Sequence, residues 1–289
     1  MSMKYITKIK ANLAIYTKKK TSNLLDGTYN SIYKGKSMNF EDLREYEMGD
    51  NVKDIDWKAS ARTNKILIKQ YIAEKKHNIL FILDSGKKML ADTKKLESKK
   101  EVALMTVGTI GYLVCKNGDS IGAIYKSKNN IKLFPFKVGL YNLENILTFY
   151  EKEIREENNI NEIINYVLKF IKRKMIIFII TDIEGINNIS EKNLKKLSLL
   201  HDVMFVNISD ALISNENSYD IEQDSYIPKY ILNDKKLRKI EIELKNKMCN
   251  KVEEKFKKYK LITIKIDEQK NIVKNILELL ERRKNADIN

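Results

Sequence analysis

Asp84 and Asp182 each follow an apolar run: Asn78-Ile-Leu-Phe-Ile-Leu83 before the first, and Lys174-Met-Ile-Ile-Phe-Ile-Ile-Thr181 before the second. Short apolar runs of this kind read as buried strands. In a doubly wound sheet, ligands gather outside the carboxyl ends of the strands, where the strand order reverses. Two carboxylates facing each other there suit a hard divalent cation with oxygen ligands, Mg²⁺ in particular. Ser85 and Lys88 follow Asp84 closely and share its candidate binding crevice. The competing reading is structural: Asp84 caps the next helix, and Asp182 satisfies backbone donors of a loop.

Two other patterns look like chemistry. Gly118-Asp-Ser-Ile-Gly122 fits the hydrolase pattern G-x-S-x-G, and Ser120, Asp182 and His201 follow in that class's chain order. A nucleophile elbow needs a strand before the serine and a helix after it. Here a helical stretch precedes Ser120 and a strand follows, so a strand opening is expected instead. The two histidines, His77 and His201, lie far in sequence from any second nitrogen or sulfur ligand, which argues against zinc. The chain has neither G-x-x-x-x-G-K-[ST] nor G-x-G-x-x-G, so no phosphate loop is indicated.

The elements that must position these residues alternate along the chain. Residues 3–20 place Ile6, Ile9, Leu13 and Tyr16 on one helical face with lysines around them. Such a helix packs on its own domain or lies on an anionic membrane surface. Residues 24–75 hold short strand-like pieces such as Lys65-Ile-Leu-Ile-Lys69. Beyond residue 77 come a strand at 78–83, a helix at about 96–116, and two strands, Ser120 to Tyr125 and Ile131 to Phe136, around a turn. Apolar periodicity predicts two helices, through Leu143 to Ile154 and Ile160 to Ile171. Further on are the strand ending at Thr181, a helix capped by Ser190, a strand from Val203 to Ile208, and a long helix capped by Asp234. A strand from Leu261 to Ile266 and a final helix opened by Asp267 complete the pattern. Residues 210–232, with Pro228, read as a loop or insertion. Buried strands alternating with amphipathic helices predict an α/β sheet covered on both faces. The chain divides at residue 76: an N-terminal basic helix and motif segment over 1–75, and an α/β domain over 76–289.

The 289 residues are 43 % hydrophobic, enough for a sizeable core. The net charge of +15 favours acidic partners: nucleic acid, anionic lipid or an acidic protein face. No recognition-helix or ribonucleoprotein signature organises the basic residues, which leaves a solvated lysine surface as the plainer reading. Cys115 and Cys249 are isolated, as thiols in a reducing compartment are. No apolar run reaches the roughly 20 residues needed to span a bilayer, and no apolar leader follows the N-terminus. A cytoplasmic location is expected, with peripheral membrane contact through the basic helix as a variant.

The segment from Phe40 to Arg62 holds the single tryptophan within a dense run of charges. Phe40, Arg44, Tyr46, Gly49, Asp50, Asp56, Trp57, Ala61 and Arg62, placed ahead of a strand ending on Asp84, form a pattern that resembles the bacterial family called domain of unknown function 58. That family joins such a segment to a von Willebrand factor A-like domain. From the residues themselves, Gly49-Asp50 reads as a tight turn. Arg44 and Arg62 are expected to pair with Asp50, Asp54 or Asp56, and Trp57 to anchor the segment on the sheet domain. The segment is then either a clasp or a docking surface.

The resemblance implies a doubly wound, mostly parallel sheet with helices on both faces and a metal-ion-dependent adhesion site in its crevice. The first motif of that site, Asp-x-Ser-x-Ser, is altered here. Gly86 and Lys88 stand at the two hydroxyl positions, and no threonine occurs in the stretch Glu157 to Asn161 that matches a further ligand loop. A degraded site is therefore expected, with Asp84 and Asp182 as its remaining metal ligands, Mg²⁺ binding weak or absent, and Lys88 neutralising Asp84. The resemblance further implies a non-enzymatic interaction protein, an adaptor or partner of a MoxR-type AAA+ ATPase in a chaperone-like or cell-envelope-related assembly. Electrostatic binding to nucleic acid or an anionic membrane is the alternative.

Overall fold

Alternation along the apolar strands decides the architecture. Ile79, Phe81 and Leu83 enter one apolar cluster, while Leu80 and Ile82 enter another. Phe178 and Ile180 divide from Ile177 and Ile179 in the same way. Strands buried on both faces require helices on both sides.

The computed structural model describes residues 3–286 apart from 17–18, 34–41, 51, 71–75, 129, 154–159, 213–218, 221–224 and 227–233. Helices α1 (Lys4–Tyr16) and α2 (Lys19–Tyr33) come first. An antiparallel pair follows, β1 (Asp42–Glu45) and β2 (Leu67–Gln70), with helix α3 (Trp57–Thr63) between its strands. The central sheet takes β3 (Asn78–Leu83), β4 (Ser120–Ser127), β5 (Asn130–Lys137), β6 (Ile176–Thr181) and β7 (Asp202–Ile208). A short hairpin, β8 (Tyr219–Asp220) and β9 (Ser225–Tyr226), stands apart from it, and the last sheet strand is β10 (Ile262–Ile266). Helices α4 (Lys99–Lys116), α5 (Leu140–Glu153), α6 (Ile160–Phe170), α7 (Ile183–Asn187), α8 (Glu191–Leu200), α9 (Lys235–Lys258) and α10 (Ile272–Ala286) surround it.

The sheet order is β10-β7-β6-β3-β4-β5, and β5 alone runs antiparallel to its neighbour. The chain steps from β3 to β4 and β5 on one side, then returns to lay β6 on the other side of β3. The strand order therefore reverses between β3 and β6, and their carboxyl ends open the crevice. This is the doubly wound α/β architecture expected from the sequence, and Ser190 and Asp234 cap their helices as expected. Among the described residues no helix is long and apolar enough to cross a membrane. The loop expected over 210–232 lies largely outside the described residues.

Residues 24–33 belong to a helix rather than to strand-like pieces. Leu25 and Tyr29, four residues apart, give α2 its buried side, and that face packs on α10. The division at residue 76 puts α1 and α2 outside the sheet domain by chain position. Their side chains Tyr5, Ile6, Ile9, Leu25 and Tyr29 nonetheless share one apolar cluster with the sheet and α4. The Glu144 carboxylate accepts from the backbone N–H groups of Tyr5 and Ile6, each at 2.9 Å, and so closes the N-terminus of α1. Gly108 leaves room for Ile9: a Cβ there would lie 2.2 Å from Ile9 Cδ1. At the opposite edge, buried Asp119 accepts from the Tyr29 hydroxyl at 2.7 Å and from the His77 backbone N–H at 2.9 Å. That carboxylate ties α2 to the amino ends of β3 and β4. Removing the hydroxyl in Tyr29→Phe should lower the unfolding free energy by about 1.5–3 kcal/mol, read from urea denaturation. An unchanged midpoint would show that α2 is not held this way.

Candidate functional site

Asp84 leaves β3 with its backbone N–H bonded to Ile180 O at 3.0 Å. Its Oδ1 accepts from Gly86 N at 2.9 Å, and its Oδ2 accepts from the Thr181 hydroxyl. Asp182 leaves β6 and caps α7, with Oδ1 accepting from Gly185 N at 2.8 Å. Both carboxylates are 1 % exposed, so each charge requires a partner. The partners are ammoniums. Lys88, in a 3-10 turn after the crevice loop, places Nζ 2.8 Å from Asp182 Oδ1 and 3.2 Å from Asp84 Oδ2. Lys99 opens α4 and places Nζ 2.8 Å from Asp182 Oδ2, and it also pairs with Asp210, two residues beyond β7. Lys99 is itself 1 % exposed. Three carboxylates and two ammoniums thus interlock across the carboxyl ends of three neighbouring strands. Gly185 permits the approach, since a Cβ there would fall 2.0 Å from Thr181 Oγ1 and 2.8 Å from Lys88 Nζ.

Burial alone would push the Asp182 carboxyl up, but the ammoniums of Lys99 and Lys88 outweigh it and hold the group at about 2. Burial likewise works against the charges on the two lysines. Asp84 and Asp182 raise Lys88 above its ordinary value, and Asp182 and Asp210 raise Lys99. Beneath the site the Tyr150 hydroxyl donates to the Asp84 carbonyl at 2.7 Å. Burial, followed by the two aspartates, keeps that hydroxyl protonated.

The fold implies a divalent cation between Asp84 and Asp182, and these residues do not fit one. A cation there would have to displace the Lys88 ammonium that bridges the two carboxylates. It would find Gly86 and Lys88 where the altered motif lacks hydroxyls. The Ser85 hydroxyl is committed to Lys126 O at 2.6 Å, and Ser85 is fully buried, so it offers no free surface to a ligand. Among the described residues no group of three acidic, histidine or cysteine side chains is arranged to hold a metal. The stretch from Glu157 to Asn161 is described only at Ile160 and Asn161. A threonine does reach the crevice, but it is Thr181 at the end of β6, and it bonds Asp84.

The structure brings Asp84, Lys88 and Asp182 together and adds Lys99, Asp210 and Thr181, which sequence reasoning missed. Two signals were available. Lys99 directly follows the N-cap Ser98, where the positive end of the helix dipole disfavours a cation. Asp210 follows a third apolar strand as Asp84 and Asp182 follow theirs. The suspected hydrolase residues stay apart: Ser120 and His201 stand at the amino ends of β4 and β7, and Asp182 at the carboxyl end of β6.

The motif segment builds a small module. Arg44 grips Asp50 in a two-pronged pair, Nη1 to Oδ2 at 2.7 Å and Nη2 to Oδ1 at 2.5 Å, which holds the Asp50 carboxyl below its usual range. Gly49, with φ +111°, forms the turn between them. Tyr46 N donates to Ile66 O at 2.9 Å, joining the turn to the approach of β2. Asp56 caps α3 through the backbone N–H groups of Lys58 and Ala59. Two expectations fail. Trp57, the first residue of α3, is 65 % exposed and so does not anchor the segment on the sheet domain. Arg62 is exposed and makes no ion pair among the described residues, since Arg44 holds Asp50 and Asp56 serves the helix cap. Phe40 and the Asp54 side chain lie outside the described residues.

A doubly wound α/β domain with an ion-paired crevice, preceded by an arginine–aspartate-clasped module, is the class of protein these features define. Residues 42–215 match the model of the family "Protein of unknown function DUF58", and the chain belongs to that family. It is 22 % identical over 202 residues to uncharacterized proteins of Mycobacterium bovis and Mycobacterium tuberculosis. The match covers 68 % of this chain and 63 % of theirs, so the chain spans less than two thirds of the length of the relatives it matches. Similar solved structures include the PilB minor pilin of Streptococcus sanguinis, at 8 % identity and TM-score 0.46, covering 76 % of this chain and 65 % of that one. A von Willebrand factor type A protein of Catenulispora acidiphila aligns at 7 % identity and TM-score 0.39, over 74 % and 43 %. The VWA domain of SpRpn10 aligns at 10 % and 0.36, over 71 % and 94 %.

Removing one partner from a buried ion network leaves uncompensated charge, which costs about 3–5 kcal/mol. Lys99→Met should therefore destabilise by that order in urea unfolding, and adding Asp182→Asn should recover part of the loss. Additive losses would refute the pairing. The pH dependence has a definite sign. The depressed Asp182 carboxyl contributes stability above its unfolded value near 4 and loses it as pH falls through about 2. The raised lysines contribute below their ordinary range near 10.4 and lose their contribution only above it. Between about pH 4 and 2 the wild-type melting temperature should fall more steeply than that of Asp182→Asn. Parallel curves would remove the claim.

Proposed function

We propose that the chain is a non-enzymatic protein-interaction module, and that its partner is a MoxR-type AAA+ ATPase for which it acts as an adaptor. The observation that carries this reading is the closed ion network. Catalysis at the crevice would need a general base, a nucleophile or a metal ligand held in reserve. Asp84 and Asp182 instead spend their oxygens on Lys88, Lys99, Thr181 and two backbone amides. What remains at the carboxyl ends of the strands is a rigid, shaped surface. The motif module supports the same reading, because Trp57 and Met48 stay exposed at 65 % and 102 % on a scaffold fixed by the Arg44–Asp50 pair. Exposed aromatic and methionine side chains on a rigid scaffold suit a protein interface.

The metal half of the proposal is a degraded adhesion site in which lysines have replaced the cation. Asp84→Ala should lower the melting temperature, and Mg²⁺ at millimolar concentration should move neither protein. A Mg²⁺-induced rise in the wild type that the variant lacks would refute the replacement. Affinity purification from the protein's own cells, with and without ATP, tests the partner. Recovery of an AAA+ ATPase of the stated type is expected. Repeated recovery of only nucleic acid or lipid, lost at high salt, would replace the adaptor reading with the electrostatic one.

A further inference from the structure

A cavity of about 260 Å³ opens beside the ion network, between the carboxyl ends of β7 and β10, the start of α7 and the first half of α9. Its lining has three chemistries. Lys94 and Lys265 border the cavity, and their ammoniums have no carboxylate partner among the described residues, whereas Lys245 beside them is paired with Glu241 at 3.2 Å. Asn207, the register partner of Lys265 on β7, lines the same space with a half-buried amide side chain. Ile183 and Ile242 make the wall apolar. Asp210 also borders the cavity, but its charge is answered by Lys99.

We propose that this cavity receives an acidic, apolar segment of a protein partner, an inference that rests on the interaction reading above and places one contact within it. The volume of about 260 Å³ favours a small occupant. Cofactor and drug-sized sites run from about 300 to 1,000 Å³, so this cavity suits one or two side chains rather than a nucleotide. Carboxylates of the segment pair with Lys94 and Lys265. The Asn207 side chain adds a polar contact at the cavity wall. An apolar side chain covers Ile183 and Ile242. The +15 net charge of the chain steers such a segment toward it.

The test is fluorescence anisotropy with a labelled peptide of alternating glutamate and leucine, and with its glutamine counterpart. The acidic peptide should bind the full chain, and the glutamine peptide should bind at least about tenfold less well, the loss of one charge-assisted hydrogen bond. The double variant Lys94→Gln with Lys265→Gln should lose about the same factor. Asn207→Ala should also weaken binding. Lys137→Gln with Lys152→Gln, equal in charge but on β5 and α5, should leave binding unchanged. Equal losses in both double variants would mean that only the overall field acts, and would overturn the site. So would an absence of binding, or displacement of the peptide by inorganic phosphate. The two levels separate cleanly. If the ATPase is still captured by Lys94→Gln with Lys265→Gln, the partner reading stands and this contact falls. If the peptide binds as described while no ATPase is captured, the contact stands and the named partner falls.

Discussion

Lys99 sits almost wholly out of solvent with its ammonium between Asp182 and Asp210. Taking such a charge out of water costs several kcal/mol per ion, and only close, well-directed partners return it. That requirement reaches far into the structure. β6 must end where Asp182 meets α4, β7 must end where Asp210 does, and α4 must begin at the crevice rather than a turn away. Lys88 imposes the same condition on the loop after β3. Gly185 must lack a side chain so that Thr181 and Lys88 can close on the carboxylates. One constraint, giving each of three carboxylates an ammonium partner, therefore sets the register of three strands and the starts of two helices.

The architecture was legible because its signal is periodic and long. Strands buried on both faces leave continuous apolar runs, and β3, β6 and β7 could be located from such runs alone. The acidic residues at two of their ends were equally plain. The network itself was only half legible. Lys88 was visible because it falls within the altered metal motif, four residues from Asp84. Lys99 was hidden because lysine is common throughout this chain, so its one local signal, a cation directly after the Ser98 cap, did not stand out. Thr181 was read as the last residue of a strand rather than as a donor. The exposure of Trp57 was not legible either. Tryptophan is usually an anchor, and nothing in the charged run around Trp57 marks it as exposed at the first position of α3.

α1 and α2 precede the motif in sequence, yet they complete the face of the sheet that α4, α5 and α10 cover. Their attachment uses buried polar contacts at both edges, Glu144 on the start of α1 and Asp119 on Tyr29. The motif module, by contrast, keeps Met48 and Trp57 in solvent. A sheet domain completed by its own N-terminal helices, with a separately clasped module that exposes an aromatic, is the arrangement on which the proposed interaction role rests.

The central claim is that ammoniums occupy the place of a cation between Asp84 and Asp182. The most direct measurement is a crystal structure of the protein grown in Mn²⁺, with an anomalous difference map over the crevice. The expected result is continuous density for Lys88 reaching both carboxylates and no anomalous peak between them. A peak coordinated by Asp84 and Asp182, with Lys88 swung aside, would contradict it.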